Sequence, residues 1–182
     1  NSGNIQYHIL WWGGWGFSQE LNQAYSYAHE IWITTVPDIE KANLMWTLIR
    51  EHLAKMISNF AINVLDKKPN TWMNCEFEDM QSETLEMRFY AKLACQLWLM
   101  WLASDGIPNS NFYPEVEVTR AQFGTVLSRA LRGDKYNDAT AENYFTEHLA
   151  ALNDVWIMKN INDPFNLELR WYVMLMMMRA AE

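Results

Sequence analysis

Apolar residues along this chain recur at three- and four-residue steps, the spacing that lines one face of an α-helix. The pattern predicts helices over residues 18–32, 39–65, 83–100, 119–132, 141–156 and 167–181. No segment sustains the alternation of apolar and polar residues that marks a half-buried strand. The sequence therefore predicts an all-α fold.

The start of the fourth predicted helix is the most informative segment. Thr119 stands at its N-cap with Gln122 three residues later, a pair typical of a capping box, and Gly133 ends the run. Arg120 takes the first helical position, where the helix dipole disfavours a cation by roughly 0.3–1 kcal/mol. The arginine is either a solvated side chain or a group that binds an anion together with free backbone N–H groups.

The same order of elements occurs three times along the chain. A helix is followed by an apolar break, a loop of variable length and a second helix that begins with arginine. The breaks are centred on Trp32, Trp98 and Trp156, and the arginines are Arg50, Arg120 and Arg170. This predicts repeats over residues 17–66, 75–133 and 136–182, after an aromatic and glycine-rich lead-in at 1–16.

The segment Val118-Thr119-Arg120-Ala121-Gln122-Phe123 resembles the Thr-Arg-Ala-Glu/Gln motif of S-layer homology (SLH) domains. The lead-in Phe112–Pro114 and the opening Phe77–Met80 resemble the same family, and the match is weakest in the first repeat. The resemblance implies three helix-loop-helix repeats in a pseudo-threefold arrangement, and we expect their second helices to form a central three-helix bundle. It also implies a bacterial cell-surface module that anchors a longer protein to cell-wall polysaccharide without catalysis.

Under this resemblance, each arginine-led helix start forms a groove with the preceding loop and a neighbouring repeat, and an acidic wall glycan binds there. The expected ligand-binding residues are Arg50, Arg120, Arg170, Thr119, Gln122, Tyr113 and Trp171, the last two by stacking on sugar faces. The expected location is extracellular, at the cell wall. The alternative is a helical protein–protein interaction or assembly module in which the arginines form structural ion pairs.

Tryptophan occupies the place at each break where SLH repeats usually have glycine. Glycine is favoured there because the residue after a helix end is often left-handed. Ten of the 182 residues are tryptophan. Two interpretations stay open: Trp32, Trp98 and Trp156 are genuine and fill the core between repeats, or they are glycines encoded by UGA and translated as tryptophan.

The composition and net charge exclude some classes of binding partner. Hydrophobic residues make up 50% of the chain and charged residues 20%, which suits a folded domain with a sizeable core. The net charge of −8 and the pI near 5.0 argue against general nucleic-acid binding, which needs a basic face. No apolar run reaches the roughly 18 residues of a membrane-spanning helix.

The two cysteines, Cys75 and Cys95, allow one disulfide or two buried thiols. The family resemblance favours the disulfide, because it places the chain outside the cell. Enzyme motifs are lacking: the four histidines are scattered, and the sequence has neither a Gly-x-Ser-x-Gly elbow nor a P-loop. We therefore expect no catalytic residue, no metal site and no cofactor.

Overall fold

The computed structural model describes residues 17–100, 108–138, 140 and 142–182. Within these residues the chain forms six α-helices: α1 (Gln19–Glu30), α2 (Arg50–Asn63), α3 (Leu85–Gln96), α4 (Arg120–Arg132), α5 (Thr146–Asp154) and α6 (Arg170–Ala181). Two short 3-10 turns span Ile39–Lys41 and Glu78–Met80. The described residues contain isolated β-bridges but no strand, so the all-α prediction is confirmed. The lead-in at 1–16 lies outside the described residues.

Side-chain caps explain where several helices begin. Ser18 accepts a hydrogen bond from the Leu21 backbone N–H at the start of α1. At the start of α4, Thr119 and Gln122 make both bonds of the predicted capping box, and Arg120 is the first helical residue. Such caps satisfy N–H groups that have no partner inside the helix.

The predicted helix over 39–65 is wrong in its first half. Apart from the 3-10 turn, the chain there is not helical, and α2 begins only at Arg50. Thr47 and Ile49 instead form β-bridges with Leu169 and Glu117. Backbone pairing with distant segments therefore overrides the local helical pattern, as tertiary contacts often do.

The segments before α2, α4 and α6 are joined by a closed ring of three backbone hydrogen bonds. The N–H of Leu48 donates to the carbonyl of Glu168 at 2.8 Å, that of Val118 to Leu48 at 2.8 Å, and that of Glu168 to Val118 at 2.9 Å. All three residues are buried. Two residues further along each segment, the ring leads into the first residue of a helix: Arg50, Arg120 and Arg170.

The helices pack in pairs around these segments. The closest pairs are α2 with α3, α1 with α6 and α4 with α5, and α4 also contacts α2 and α6. The first helix of the chain thus lies against the last. Gly124 permits the close approach of α4 to α5, since a Cβ at this position would lie 2.2 Å from Leu149 Cδ2.

The three break tryptophans do not fill the core. Trp32, Trp98 and Trp156 have φ angles of 65°, 63° and 61°. Their side chains are 65%, 50% and 70% exposed, so the core-filling interpretation is wrong. The left-handed turn directs the indoles outward, and the next residue in each break is buried instead: Ile33, Leu99 and Ile157.

A disulfide joins Cys75 to Cys95, whose Cα atoms are 6.0 Å apart. It ties the segment that precedes α3 to the last turn of that helix, and both residues are buried. Among the described residues, no helix combines the length and the apolar character needed to cross a bilayer.

Candidate anion-binding site

The backbone N–H groups at the three arginine-led helix starts are already hydrogen-bonded. Those of Arg50, Arg120 and Arg170 donate to Val116, Asn166 and Trp46 at 3.0, 2.8 and 3.1 Å. The N–H of the next residue in each helix donates to Pro114, Pro164 or Leu44. The expectation that an anion sits between each arginine and unpaired amides is therefore wrong for these two donors at each helix start, because a loop distant in sequence occupies them. Recognition of a ligand then depends mainly on the side chains.

The Arg120 side chain has partners within the protein. Its Nε donates to Glu168 Oε1 at 2.7 Å, and its Nη1 donates to the Asn162 carbonyl at 2.8 Å. The side chains of Arg120 and Glu168 are 15% and 2% exposed. Burial raises the pKa of Glu168, and the hydrogen bond from Arg120 acts against that rise. The predicted ligand-binding arginine thus forms a largely buried ion pair, beside Thr119 and Gln122, which cap α4.

Arg50 lies in an environment with several carboxyl groups. Its guanidinium carbon is 5.7 Å from the centroid of the Tyr113 ring, and this tyrosine is half exposed. Burial raises the pKa of the adjacent Glu51, and Glu83 and Glu115 raise it further. A cluster of acidic groups repels an incoming anion, so this helix start is a poor anion site.

Arg170 borders a cavity of about 180 Å³ between α2, α6 and the turn after α1. The polar groups that line the cavity are Thr34, Thr35, His52, Lys55 and Arg170. The Arg170 Nη2 lies 3.0 Å from His52 Nδ1, a contact that spans 118 residues of sequence. Its Nε is buried and has no hydrogen-bond partner among the described residues. The cavity therefore brings together two cationic side chains.

The charges in this cavity favour an anionic group. Burial, and then Arg170 and Lys55, lower the pKa of His52 to about 4, so the imidazole is neutral at pH 7 and accepts a hydrogen bond from Arg170. The Lys55 Nζ donates to Thr35 Oγ1 at 3.0 Å and to Glu86 Oε1 at 2.7 Å. Glu86 is about half exposed, so a carboxylate from a ligand could replace or join it at the rim.

Trp46, and not Trp171, has an exposed ring against Arg170, although it does not line the cavity. The guanidinium carbon of Arg170 is 5.9 Å from the Trp46 ring centroid, and Trp46 is 62% exposed. Trp171 is only 9% exposed and stacks on Tyr172 with ring centroids 3.9 Å apart. Little of the Trp171 face is therefore available to a sugar.

Sequence reasoning missed His52 and Lys55, which line this cavity. Both lie on α2, and they meet Arg170 because the ring of backbone bonds brings the starts of α2 and α6 together. Neither residue belongs to a local motif. Their positions two and five residues after Arg50, in the first turns of an arginine-led helix, were the available signal.

A larger cavity of about 570 Å³ lies beside the disulfide. Its charged lining is mixed, with Glu76 and Glu78 opposite Arg88 and Lys92, and Lys92 already bonds Glu76 at 2.6 Å. This larger cavity therefore does not favour an anionic ligand over a cationic one. The smaller Arg170 cavity is the better candidate for an anion because no carboxylate lines it, although Lys55 also bonds a carboxylate, Glu86, at its rim.

Within the part of the chain that the structure describes, no group of three or more His, Cys, Asp or Glu residues could hold a metal ion. No protein-family model matches the chain, and no curated protein matches it either.

Proposed function

We propose that this chain is a non-catalytic anchoring module that binds an acidic cell-wall polysaccharide at the bacterial cell surface. The observation that carries this proposal is the Arg170 cavity, where Arg170 and Lys55 face one small space lined by two threonines. Carboxylate-bearing sugars offer the anionic and hydroxyl groups that such a lining binds through charge-assisted hydrogen bonds. The net charge of −8 makes a nucleic acid a poor alternative ligand.

We further propose that the six helices form three SLH-like repeats with pseudo-threefold symmetry. Support comes from the ring of bonds that joins Leu48, Val118 and Glu168. Further support comes from left-handed residues seven positions before each arginine, at 43, 113 and 163. Matching backbone geometry at three matching places is what divergent copies of one unit retain.

The Cys75–Cys95 disulfide supports a location outside the cytoplasm. Disulfides persist in oxidising compartments and are rare where thiols are kept reduced. An extracellular wall-binding module meets this condition.

The test is sedimentation of the purified protein with bacterial sacculi that carry an acidic secondary polymer. Arg170→Gln should lower the apparent affinity by about tenfold or more, since a charge-assisted hydrogen bond contributes about 1.5–3 kcal/mol. Lys55→Gln should weaken binding in the same way. Removing the polymer from the sacculi with hydrofluoric acid should abolish sedimentation of the parent protein.

Lys68→Gln is the matched control, because it removes one positive charge from a side chain that is 77% exposed and does not line the cavity. Circular dichroism should confirm that each variant keeps its helices. If Arg170→Gln, Lys55→Gln and Lys68→Gln all sediment like the parent, the proposed site is wrong. If the parent does not bind polymer-bearing sacculi, the proposed function is wrong.

The second candidate is an assembly module without glycan binding. It is favoured by the Arg120–Glu168 ion pair, because this arginine has the structural role that the alternative assigns to all three. Under this candidate the protein would sediment equally with and without the wall polymer, or not at all, and would associate with a protein partner.

A further inference from the structure

Three tryptophans occupy a backbone conformation that favours glycine. Trp32, Trp98 and Trp156 each lie two residues after the end of a helix, with φ between 61° and 65°. In each case the N–H of the tryptophan donates to a carbonyl three residues earlier, at His29, Cys95 or Asn153. This is the position where helices commonly end in a left-handed glycine. A side chain there is strained, because its Cβ crowds the backbone.

The left-handed turn at each tryptophan is fixed by the contacts of the next two residues, one through a backbone hydrogen bond and one through a buried side chain. In all three breaks, the second of these residues donates its N–H to the carbonyl four residues before the tryptophan, at 3.1, 3.4 and 3.2 Å. The first of them enters the core. The backbone therefore cannot relax to negative φ without displacing a buried side chain.

The indoles are directed mostly into solvent. Trp32, Trp98 and Trp156 are 65%, 50% and 70% exposed, so only their buried fractions offset this strain, and Trp156 has the least buried surface to do so. Where α4 ends, the chain uses Gly133 at φ 64°. The positive φ that follows a helix thus falls on Gly133 after α4 and on Asp66 after α2, but on a large aromatic residue after α1, α3 and α5.

Other residues with positive φ have local explanations. Asn43, Asp66 and Asp163 belong to the residue types that tolerate this region. Tyr113 is held by its backbone N–H, which donates to Asp79 Oδ2 at 2.6 Å. The three break tryptophans are neither of these tolerant types nor anchored by a carboxylate in this way.

We infer that positions 32, 98 and 156 are glycine in the protein as its source organism makes it, through UGA codons that the organism reads as glycine. Composition points the same way. The chain has ten tryptophans but only seven glycines in 182 residues, against a usual glycine frequency of about 7%. The same reassignment would make residues 11–16 an unbroken run of glycine, a composition typical of linkers. It would also replace Trp46 and Trp171.

The direct test combines sequencing of the gene with mass spectrometry of the native protein. The gene should have UGA, and not UGG, at positions 32, 98 and 156. Mass spectrometry of peptides from the protein purified from its source organism should find glycine at all three. A UGG codon or a tryptophan-containing peptide at any of these positions overturns the inference.

A second test measures the strain and needs no native material. The recombinant tryptophan form is compared with single Trp→Gly variants at 32, 98 and 156. Each should raise Tm, by up to about 8 °C, with the largest rise at 156, where the indole has the least buried surface to lose. Trp72→Gly is the control, because Trp72 is 94% exposed and is not among the residues with positive φ. It should leave Tm unchanged.

If the tryptophan form does not fold, the triple glycine variant should still give a cooperative thermal transition. Break variants that melt at or below the temperature of the tryptophan form, or that gain no more than Trp72→Gly, overturn the claim that the backbone requires glycine. Neither test depends on wall binding, so their failure is distinguishable from failure of the proposed function.

Discussion

Arg120 and Arg170 begin their helices in the same backbone frame, yet their guanidinium groups have different partners. The N–H of each donates to a loop carbonyl distant in sequence, at 2.8 and 3.1 Å. Arg120 then bonds a buried carboxylate, whereas Arg170 bonds a neutral imidazole at the edge of a cavity. The guanidinium of Arg120 is thus neutralised within the protein, whereas that of Arg170 has no carboxylate partner among the described residues.

The difference comes from one residue in the ring of backbone bonds. Leu48 and Val118 occupy two of its three places, and Glu168 occupies the third. The carboxylate of Glu168 bonds Arg120, whose N–H donates to Asn166, two residues before Glu168. The Arg170 N–H donates to Trp46, two residues before Leu48, so Leu48 is the matching ring residue and has no charge. A shared backbone arrangement therefore places Arg120 and Arg170 alike, while Glu168 gives Arg120 a carboxylate partner that Leu48 does not give Arg170.

The largest expected effect is the loss of the Arg120–Glu168 pair. Arg120→Leu leaves a buried carboxylate without its partner, which should lower the free energy of unfolding by about 3–5 kcal/mol. Arg170→Leu should cost much less, because its neighbour His52 is neutral. Urea denaturation of both variants measures the difference.

The control for this prediction replaces both charges. In the double variant Arg120→Leu/Glu168→Val, the ring regains the apolar type found at Val118. Replacing both members of a buried pair is often neutral or stabilising, so most of the lost stability should return. A double variant no more stable than Arg120→Leu would show that the buried charge is not the cause.

Lowering the pH should change the free energy of unfolding in opposite directions through His52 and Glu168. The pKa of His52 is lowered to about 4, so its stabilising contribution is complete above pH 6.5 and is lost as pH falls towards 4. The loss should be about 1–2 kcal/mol after solvent screening, because a third of the His52 side chain is exposed. The pKa of Glu168 is raised by burial, so protonation in acid removes the cost of burying its charge and adds to the free energy of unfolding.

His52→Gln should therefore flatten the loss of stability between pH 6.5 and 4. His148 is a second contributor in the same window, since burial, and then Arg129, lower its pKa to about 4. His148→Gln should remove a separate part of the loss. Identical pH profiles for the parent and His52→Gln would contradict the assignment. Denaturant titrations at each pH give these profiles.

An added anion should substitute for the missing carboxylate in Glu168→Val. Inorganic phosphate at tenfold its Kd would stabilise this variant by about 1.4 kcal/mol through binding to the released Arg120. In the parent protein Arg120 is occupied, so phosphate should act only at Arg170. Thermal melts with and without phosphate compare the two proteins, and an equal response in both would show that Glu168 does not block Arg120.

The positions of the arginine-led helix starts were more predictable from the sequence than the residues that the arginines contact. Thr119 and Gln122 form a capping box because both residues lie within one helical turn, and this local signal predicted the start of α4 correctly. The predicted extent of α2 was wrong because Thr47 and Ile49 form β-bridges with Leu169 and Glu117, which no local pattern indicates. The Glu168–Arg120 pair spans 48 residues, and no local pattern marks it.

The free amides expected at each arginine illustrate the same limit. A helix start read alone always has unsatisfied N–H groups. Here Pro114, Pro164 and Leu44 supply carbonyls from loops that are distant in sequence. Local reasoning finds the donors, but only the tertiary structure reveals that they are occupied.

The smallest expected effect concerns Trp46, whose ring lies over Arg170. Trp46→Gly removes a ring 5.9 Å from the guanidinium carbon, and with it a cation–π contact that contributes about 0.5–1 kcal/mol at exposed sites. Arg170 then becomes more accessible, so binding to polymer-bearing sacculi should strengthen by about two- to fivefold, or about 0.5–1 kcal/mol. Trp72→Gly should not change it. Weaker binding by Trp46→Gly would mean that the indole itself contacts the glycan, which would make Trp46 part of the site and argue for tryptophan at this position.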